Sequence, residues 1–310
     1  MAKPHNYPHI YKFRDKEIKE ILPLIENQNI DFVIQEKIDG SFFWVDYNAE
    51  TQKIRYGSRK RELTDNVDAD MFNQAVRVVK DIIAPKLKEQ TQNVSLFCEY
   101  VKAKKHNILK YDRTPKNCLV LFDVFYDGKP FHLKDLKKTA DLLEIESVPV
   151  LYVGREYNDK LKKKLLNTDS ILGGTKIEGF VMKSNSSVLK HNSTLLIKVV
   201  SDRFKEVKTE PKKKKTGKDK LLDCMEKYRT KARWNKAIQH LSETQQLSNT
   251  AEDIGKLIKE IQQDIIKEEK ENIKEELYEL FIKSIIKHAT QGFADYYLQL
   301  LEQQVKKRHA

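Results

Sequence analysis

The chain has 310 residues, room for one large domain or two ordinary ones. A hydrophobic fraction of 39% supports a real core and excludes a disordered chain. Lys plus Arg number 58 against 46 Asp plus Glu, a net charge of +12 and a pI of about 9.3. That balance fits a polyanionic partner, because each neutralised phosphate releases a counterion, and it fits equally a lysine-rich protein of an AT-rich genome. Cys98, Cys118 and Cys224 are odd in number and have no C-x-x-C spacing, which argues against a zinc knuckle or a disulfide framework and for a reduced intracellular compartment. Met1–Tyr11 is polar, and no stretch reaches the roughly 20 apolar residues of a membrane span. A soluble, cytoplasmic, monomeric protein is expected.

In chain order, Phe32–Gln35, Ser41–Tyr47 and Lys53–Gly57 read as strands, being aromatic and β-branched between polar turns. Asp68–Gln90 reads as a helix, with Met71, Ala75, Val78, Val79, Ile82 and Ile83 near one face. Val94–Val101 and Cys118–Tyr126 read as buried strands, Lys134–Leu143 as a helix and Val148–Val153 as extended. Gly179–Lys183 and Thr194–Val200 are the last strands. Their order is not a regular βαβ alternation, so an α+β domain of antiparallel sheets with flanking helices is predicted over residues 1–207. Residues 208–220, with Pro211, Gly217 and the run Lys212–Lys215, read as a solvated lysine-rich linker, with a localisation signal or a phosphate-contacting arm as the other readings. Residues 221–310 read as an all-helical domain: Leu221–Tyr228, Ala232–Leu241, Thr250–Glu268, Lys274–His288 and Phe293–Lys306 carry apolar residues at helical spacing. Asn249 and Thr250 supply a cap signal for the third of these, and Gly292 a break before the last.

The chemistry is carried by an ordered set. Glu36-Lys37-Ile38-Asp39-Gly40 joins two strands and, taken alone, is equally a charged hairpin turn. Arg59-Lys60-Arg61 follows a strand. Glu99, Asp123, Glu178, Lys183 and Lys198 each lie in or beside an otherwise apolar strand. A charge in such a place is costly unless it is paired or meets a ligand. Five together point to one shared polar cleft.

This set resembles the collinear motifs of covalent nucleotidyltransferases: DNA ligases, RNA ligases and mRNA capping enzymes. The resemblance covers roughly residues 30–206 and is strongest to the RNA ligase 2-type group. Phe42 stands where DNA ligases and capping enzymes carry arginine, Phe204-Lys205-Glu206 is similar to an RNA-ligase F-x-E ending, and Thr230–Leu241 resembles helical domains of such ligases. Phe42 also replaces the group's own asparagine, and Val200 a second lysine. The resemblance implies an ATP-grasp-like ligase fold and joining of RNA 3′-OH and 5′-phosphate ends, nicked duplexes among them, with ATP and Mg2+ or Mn2+. It makes Lys37 the nucleophile that forms lysyl-AMP. Glu36, Ile38, Arg59, Glu99, Phe122, Lys183 and Lys198 would bind the nucleotide, with Glu99 on the ribose and Phe122 stacked on adenine. Glu178 would contact the metal. Asp39 either lies near the metal or shapes the turn.

The eight histidines show no ligand spacing and none is assigned to catalysis. Trp44 and Trp234 read as packing residues. A DNA nick-sealing ligase and a non-catalytic nucleic-acid-binding protein on the same fold are the competing readings; the presence of both Lys37 and Glu178 speaks against the latter.

Overall fold

In the computed structural model, residues 7–13, 31–64, 71–130, 136–184, 195–201 and 217–308 are described. The F-x-E ending at Phe204–Glu206 and most of the lysine-rich linker lie outside them. The chain forms two compact units, Met1–Glu206 with Lys231–Glu260, and Val207–Thr230 with Ile261–Ala310. The helical segment after residue 221 is therefore shared between both units, and the stretch 231–260 belongs with the sheets.

The first unit is α+β, as expected. It holds two sheets. One orders its strands β1(Ile10–Lys12), β11(Leu195–Val200), β10(Gly179–Ser184), β2(Phe32–Lys37), β9(Val150–Gly154). The other orders β4(Lys53–Ser58), β3(Ser41–Asn48), β5(Val94–Tyr100), β6(Leu119–Tyr126), β7(Lys129–Pro130), with β8(Glu146–Ser147) also on β6. Pairings are antiparallel except β1 with β11 and β6 with β8.

Period-two alternation decides which side chains each face buries. Phe43, Val45 and Tyr47 of β3 join Leu96, Cys98 and Tyr100 of β5 in the largest core cluster. Helices α1(Asn73–Val78) and α3(Leu136–Leu142) contribute Ala75, Val76, Leu136 and Ala140 to it. The intervening residues Phe42, Trp44 and Phe97 emerge on the opposite face with Phe125. In the first sheet, Phe32, Ile34, Phe180, Met182, Ile197 and Val199 make a separate cluster, joined by Leu165 of α4(Asp159–Leu166).

The helix expected over 68–90 is described from Asn73 and is not uniform. A π turn, Val79–Ile83, separates α1 from α2(Ala84–Leu87). Pro85 supplies the reason: it has no N–H, and its ring crowds the carbonyl four residues back, so the wider turn relieves the ladder there. Helix α4, capped by Asn158 Oδ1 accepting from Leu161 N at 2.9 Å, had no clear sequence signal.

The remaining helices are α5(Gly217–Lys227), α6(Lys231–Glu243), α7(Asp253–Ala289) and α8(Phe293–Arg308). The two helices expected over 250–268 and 274–288 are one, 37 residues long. Residues 269–273 hold no Gly or Pro, only good helix formers and one Asn, so nothing stops propagation. Among the described residues no helix is long and apolar enough to cross a membrane.

Trp44 is fully buried, and its Nε1–H donates to Ser58 O at 2.8 Å. Trp234 of the helix over 231–243 is 41% exposed. The Trp44 ring lies directly on Gly57: a Cβ there would stand 2.6 Å from Trp44 Cζ2 and 2.4 Å from Arg61 O. Gly57→Ala is expected to lower stability by about 1–3 kcal/mol through overpacking, read as a drop in the urea midpoint at unchanged slope.

Candidate active site

Lys37 ends β2, paired with Gly179 of β10, so the residue before that glycine, Glu178, stands beside it. Lys37 Nζ donates to Glu178 Oε2 at 2.5 Å. The chain then turns into β3, and that turn is anchored atom by atom. Asp39 Oδ2 accepts from Ile108 N at 2.8 Å and Leu109 N at 2.6 Å, while Asp39 N donates to Tyr111 Oη at 2.8 Å. Of the two roles left open for Asp39, turn shaping is the one its contacts fill. Gly40 lies against β5: a Cβ there would stand 2.8 Å from Tyr100 O and 3.2 Å from Glu99 Oε2. Glycine thus brings the turn onto the strand that carries Glu99.

Glu99, Glu178 and Asp39 all act on the Lys37 ammonium. Burial pushes its pKa down, but the carboxylates, Glu178 foremost, outweigh that, and the pKa is raised above the ordinary lysine value. The amine is therefore protonated in the ligand-free protein. Burial in turn raises Glu178, against the fields of Lys37 and Lys198. It raises Glu99 to about 8, against Lys37 and Arg59. Glu99 Oε2 is buried without a hydrogen-bond partner. The Arg59 guanidinium lies 5.5 Å from the Phe42 ring centroid, on the same side. Lys37, Glu99, Glu178, Arg59 and Lys198 thus share one electrostatic neighbourhood.

Lys183 and Phe122 of the expected set meet beside Asp123. Lys183 is 4% exposed, and its ammonium donates to Phe122 O at 2.7 Å and Asp123 Oδ2 at 3.0 Å. It clips one sheet to the other, with burial lowering its pKa against the pull of Asp123. Phe122 lies beneath this amine, 5.6 Å from ring centroid to Nζ. Tyr7, unremarked in the sequence, donates to Asp123 Oδ2 at 2.8 Å and sets its ring edge-on to Phe122, centroids 5.4 Å apart. Ile38 is 1% exposed and packs in the largest core cluster. Glu36 is buried too. Its Oε2 accepts from Ile171 N at 3.0 Å, while its Oε1 has no hydrogen-bond partner.

Sequence reasoning missed the residues that hold the Gly40–Ser41 turn from outside: His106, Asn107, Gln239 and Glu243. They are ordinary polar residues in no motif, and Gln239 is 199 positions from Gly40. The one available signal was a pair at helical spacing, Gln239 and Glu243, on an amphipathic segment.

A lysine ammonium held among carboxylates at the end of β2 forms the candidate active site. A protein-family model for RNA ligase matches residues 30–200, more than half of the chain, and spans every strand from β2 to β11. The chain belongs to the RNA ligase family. Among solved structures it is similar to the Naegleria gruberi RNA ligase with PPi, at 18% identity over 63% of this chain and 57% of that one, TM-score 0.47. It is also similar to a mutant of that ligase with AMP and Mn, at 17% identity over 64% and 56%, TM-score 0.49. The chain thus spans just over half the length of these structures. No curated protein matches it.

A pH dependence follows from Glu99. Its carboxyl is held protonated up to about 8 in the fold, against roughly 4.3 in an unfolded chain. Between those values the folded state binds the extra proton, so this contribution to stability is full below the lower value and lost as pH rises through the higher. Glu99→Gln is expected to flatten that fall, leaving the parts due to Glu178 and Glu36, which burial also raises. Urea midpoints measured from about pH 5 to 9 check it.

Proposed function

We propose that the protein is an ATP-dependent RNA ligase whose Lys37 carries AMP as a covalent intermediate. The observation that supports this most directly is the Lys37 amine, 2.5 Å from Glu178 Oε2 and in the field of Glu99 and Asp39, at the start of a turn anchored on both sides. In the first step Lys37 Nζ attacks the α-phosphorus of ATP. An N–P bond forms, the bond to pyrophosphate breaks, and the amine gives up its proton. The AMP then passes to an RNA 5′-phosphate with cleavage of that N–P bond. A 3′-hydroxyl finally attacks the activated 5′-phosphorus and AMP leaves.

The amine starts protonated, so the carboxylates that hold it must be neutralised before it can attack. The donor set fits a hard divalent cation. Glu178 presents a carboxylate at the nucleophile, and Glu99 Oε2 has no hydrogen-bond partner. Mg2+ takes oxygen ligands, keeps several waters and is commonly held by one or two carboxylates plus substrate phosphates. Among the described residues no three His, Cys, Asp or Glu side chains form a complete cage, which suits an ion that arrives with the nucleotide. Glu178 would hold Mg2+ or Mn2+ there, which would screen the carboxylates and the triphosphate.

Arg59 and Lys198, whose charges act on Glu99 and Glu178, would face the phosphates, while Lys183 is held by Asp123. Glu36 Oε1, buried and unpartnered, offers an acceptor to a purine amino group. Phe122 offers a ring face to the base, and Glu99 an acceptor to a ribose hydroxyl. RNA ends are favoured over DNA by the family to which the chain belongs and by Phe42 in place of the DNA-ligase arginine.

Incubation with α-labelled ATP and Mg2+ is expected to leave label covalently on the wild type and none on Lys37→Ala. Equal label on both would refute the assignment. Glu178→Ala is expected to slow labelling by about a hundred-fold or more, the usual cost of removing one electrostatic contact to the transition state. Sealing of matched RNA and DNA nicks then reads the substrate, with RNA expected to be joined faster.

A further inference from the structure

The turn that follows the nucleophile is gripped by a helix encoded about 200 residues downstream. Gln239 of α6 donates through Nε2 to Gly40 O at 3.2 Å and lies 3.5 Å from Ser41 Oγ. The same amide donates to Glu243 Oε1, one helical turn on, at 2.8 Å. Glu243 is 6% exposed and also accepts from the Ser41 hydroxyl. The opposite side of the turn is held by the 106–107 loop, where Asn107 Nδ2 donates to Gly40 O at 2.8 Å and His106 Nε2 stands 2.9 Å from Ser41 Oγ.

The direction of these bonds can be deduced. Lys102 N donates to His106 Nδ1 at 3.2 Å, so Nδ1 carries the lone pair. Burial lowers the ring's pKa to about 4, so it is neutral and its one proton sits on Nε2. His106 therefore donates to Ser41 Oγ, which leaves the Ser41 hydroxyl proton to point at Glu243. The chain of donors runs His106 to Ser41 to Glu243 and needs an acceptor at its end.

A second set of contacts fixes α6 itself. Arg61 Nε donates to Glu243 O at 3.0 Å, satisfying a carbonyl at the end of the helix that has no intrahelical partner. Lys60 reaches Glu260 Oε1 at 3.2 Å, and His240 meets the same carboxylate. The cation cluster 59–61 thus divides its work: Arg59 faces Phe42 and the carboxylates, while Lys60 and Arg61 dock the 231–260 segment.

We propose that Gln239 and Glu243 are positioning residues for Lys37, clasping the Gly40–Ser41 turn against the His106–Asn107 loop so that the amine is held in line for attack. This rests on the lysyl-AMP reading above. Neither residue touches the reacting atoms. Their effect belongs in the maximal rate rather than in nucleotide affinity, because a misplaced nucleophile loses rate steeply with distance.

The test compares the maximal rate of lysine labelling, and the ATP concentration giving half of it, for full-length wild type, Gln239→Ala, Glu243→Ala and Glu243→Gln. All are measured at a temperature where circular dichroism shows them folded. Gln239→Ala and Glu243→Ala are expected to fall about ten-fold in maximal rate, with the half-saturating ATP changed less than about two-fold. Glu243→Gln keeps an acceptor oxygen for the Ser41 hydroxyl, so it is expected to stay within about three-fold of wild type. If Glu243→Ala does not fold, the half-buried Gln239 site still decides. A Gln239→Ala maximal rate equal to wild type overturns the clasp, as does a loss confined to ATP affinity or a Glu243→Gln as slow as the alanine variant. Wild-type protein that takes no label overturns the ligase reading and the clasp with it. Label on the wild type with unchanged variants overturns the clasp alone.

Discussion

One ion pair organises the site: the Lys37 ammonium on Glu178, with Asp39 and, once ionised, Glu99 adding to the field that holds its proton. Bringing that many charges out of water is unfavourable unless each is matched, and here the match is incomplete. Glu99 keeps a buried oxygen without a partner and a carboxyl held protonated up to about 8. A cleft with unspent acceptors around a locked amine is poised for a ligand that brings positive charge and phosphate together. The fold around it serves to keep these groups close while leaving them short of mutual satisfaction.

Two devices maintain that geometry. The first joins the sheets: Asp123 of β6 receives both Lys183 of β10 and Tyr7 of the N-terminal segment, so a buried carboxylate with two donors fixes one sheet against the other. The Lys183 ammonium is thereby committed to the sheet-to-sheet contact. The second device fixes the turn between β2 and β3. It is tied to the 106–111 loop through Asp39 and Gly40, and to α6 through Gly40.

The contribution of α6 changes how the chain divides. A boundary at the lysine-rich stretch near residue 210 separates sheets from helices by composition. The packed unit that contains Lys37 also takes in Lys231–Glu260, because Arg61, Lys60 and the Gly40–Ser41 turn find their partners there. Helical pattern alone does not say whether a helix packs with its neighbours in sequence or returns to an earlier sheet.

The strands around the site were legible in the sequence because each is an apolar run broken by a single charge, and period-two alternation sends that charge to one face. Glu99 and Glu178 stood out in this way, Lys37 through the turn motif that follows β2, and the three do come together. The single 37-residue helix reads as two in the apolar pattern, although no Gly or Pro breaks it between 269 and 273. The π turn before Pro85 depends on how the ladder relaxes around a missing N–H, and the pattern of apolar residues carries no trace of it. Lys183 and Lys198 look alike in sequence, one lysine in each buried strand, yet only Lys183 closes a 3.0 Å pair with Asp123. The clasping residues His106, Asn107, Gln239 and Glu243 form no local motif, since a hydrogen bond between positions 40 and 239 leaves no periodic signature. The sequence by itself determined the strands and the charges set within them, because hydrophobic alternation and the cost of burying charge act locally. Which charges satisfy one another, and which stay open for a ligand, was decided only by tertiary structure, because pairing is settled by distances between residues that the chain keeps far apart.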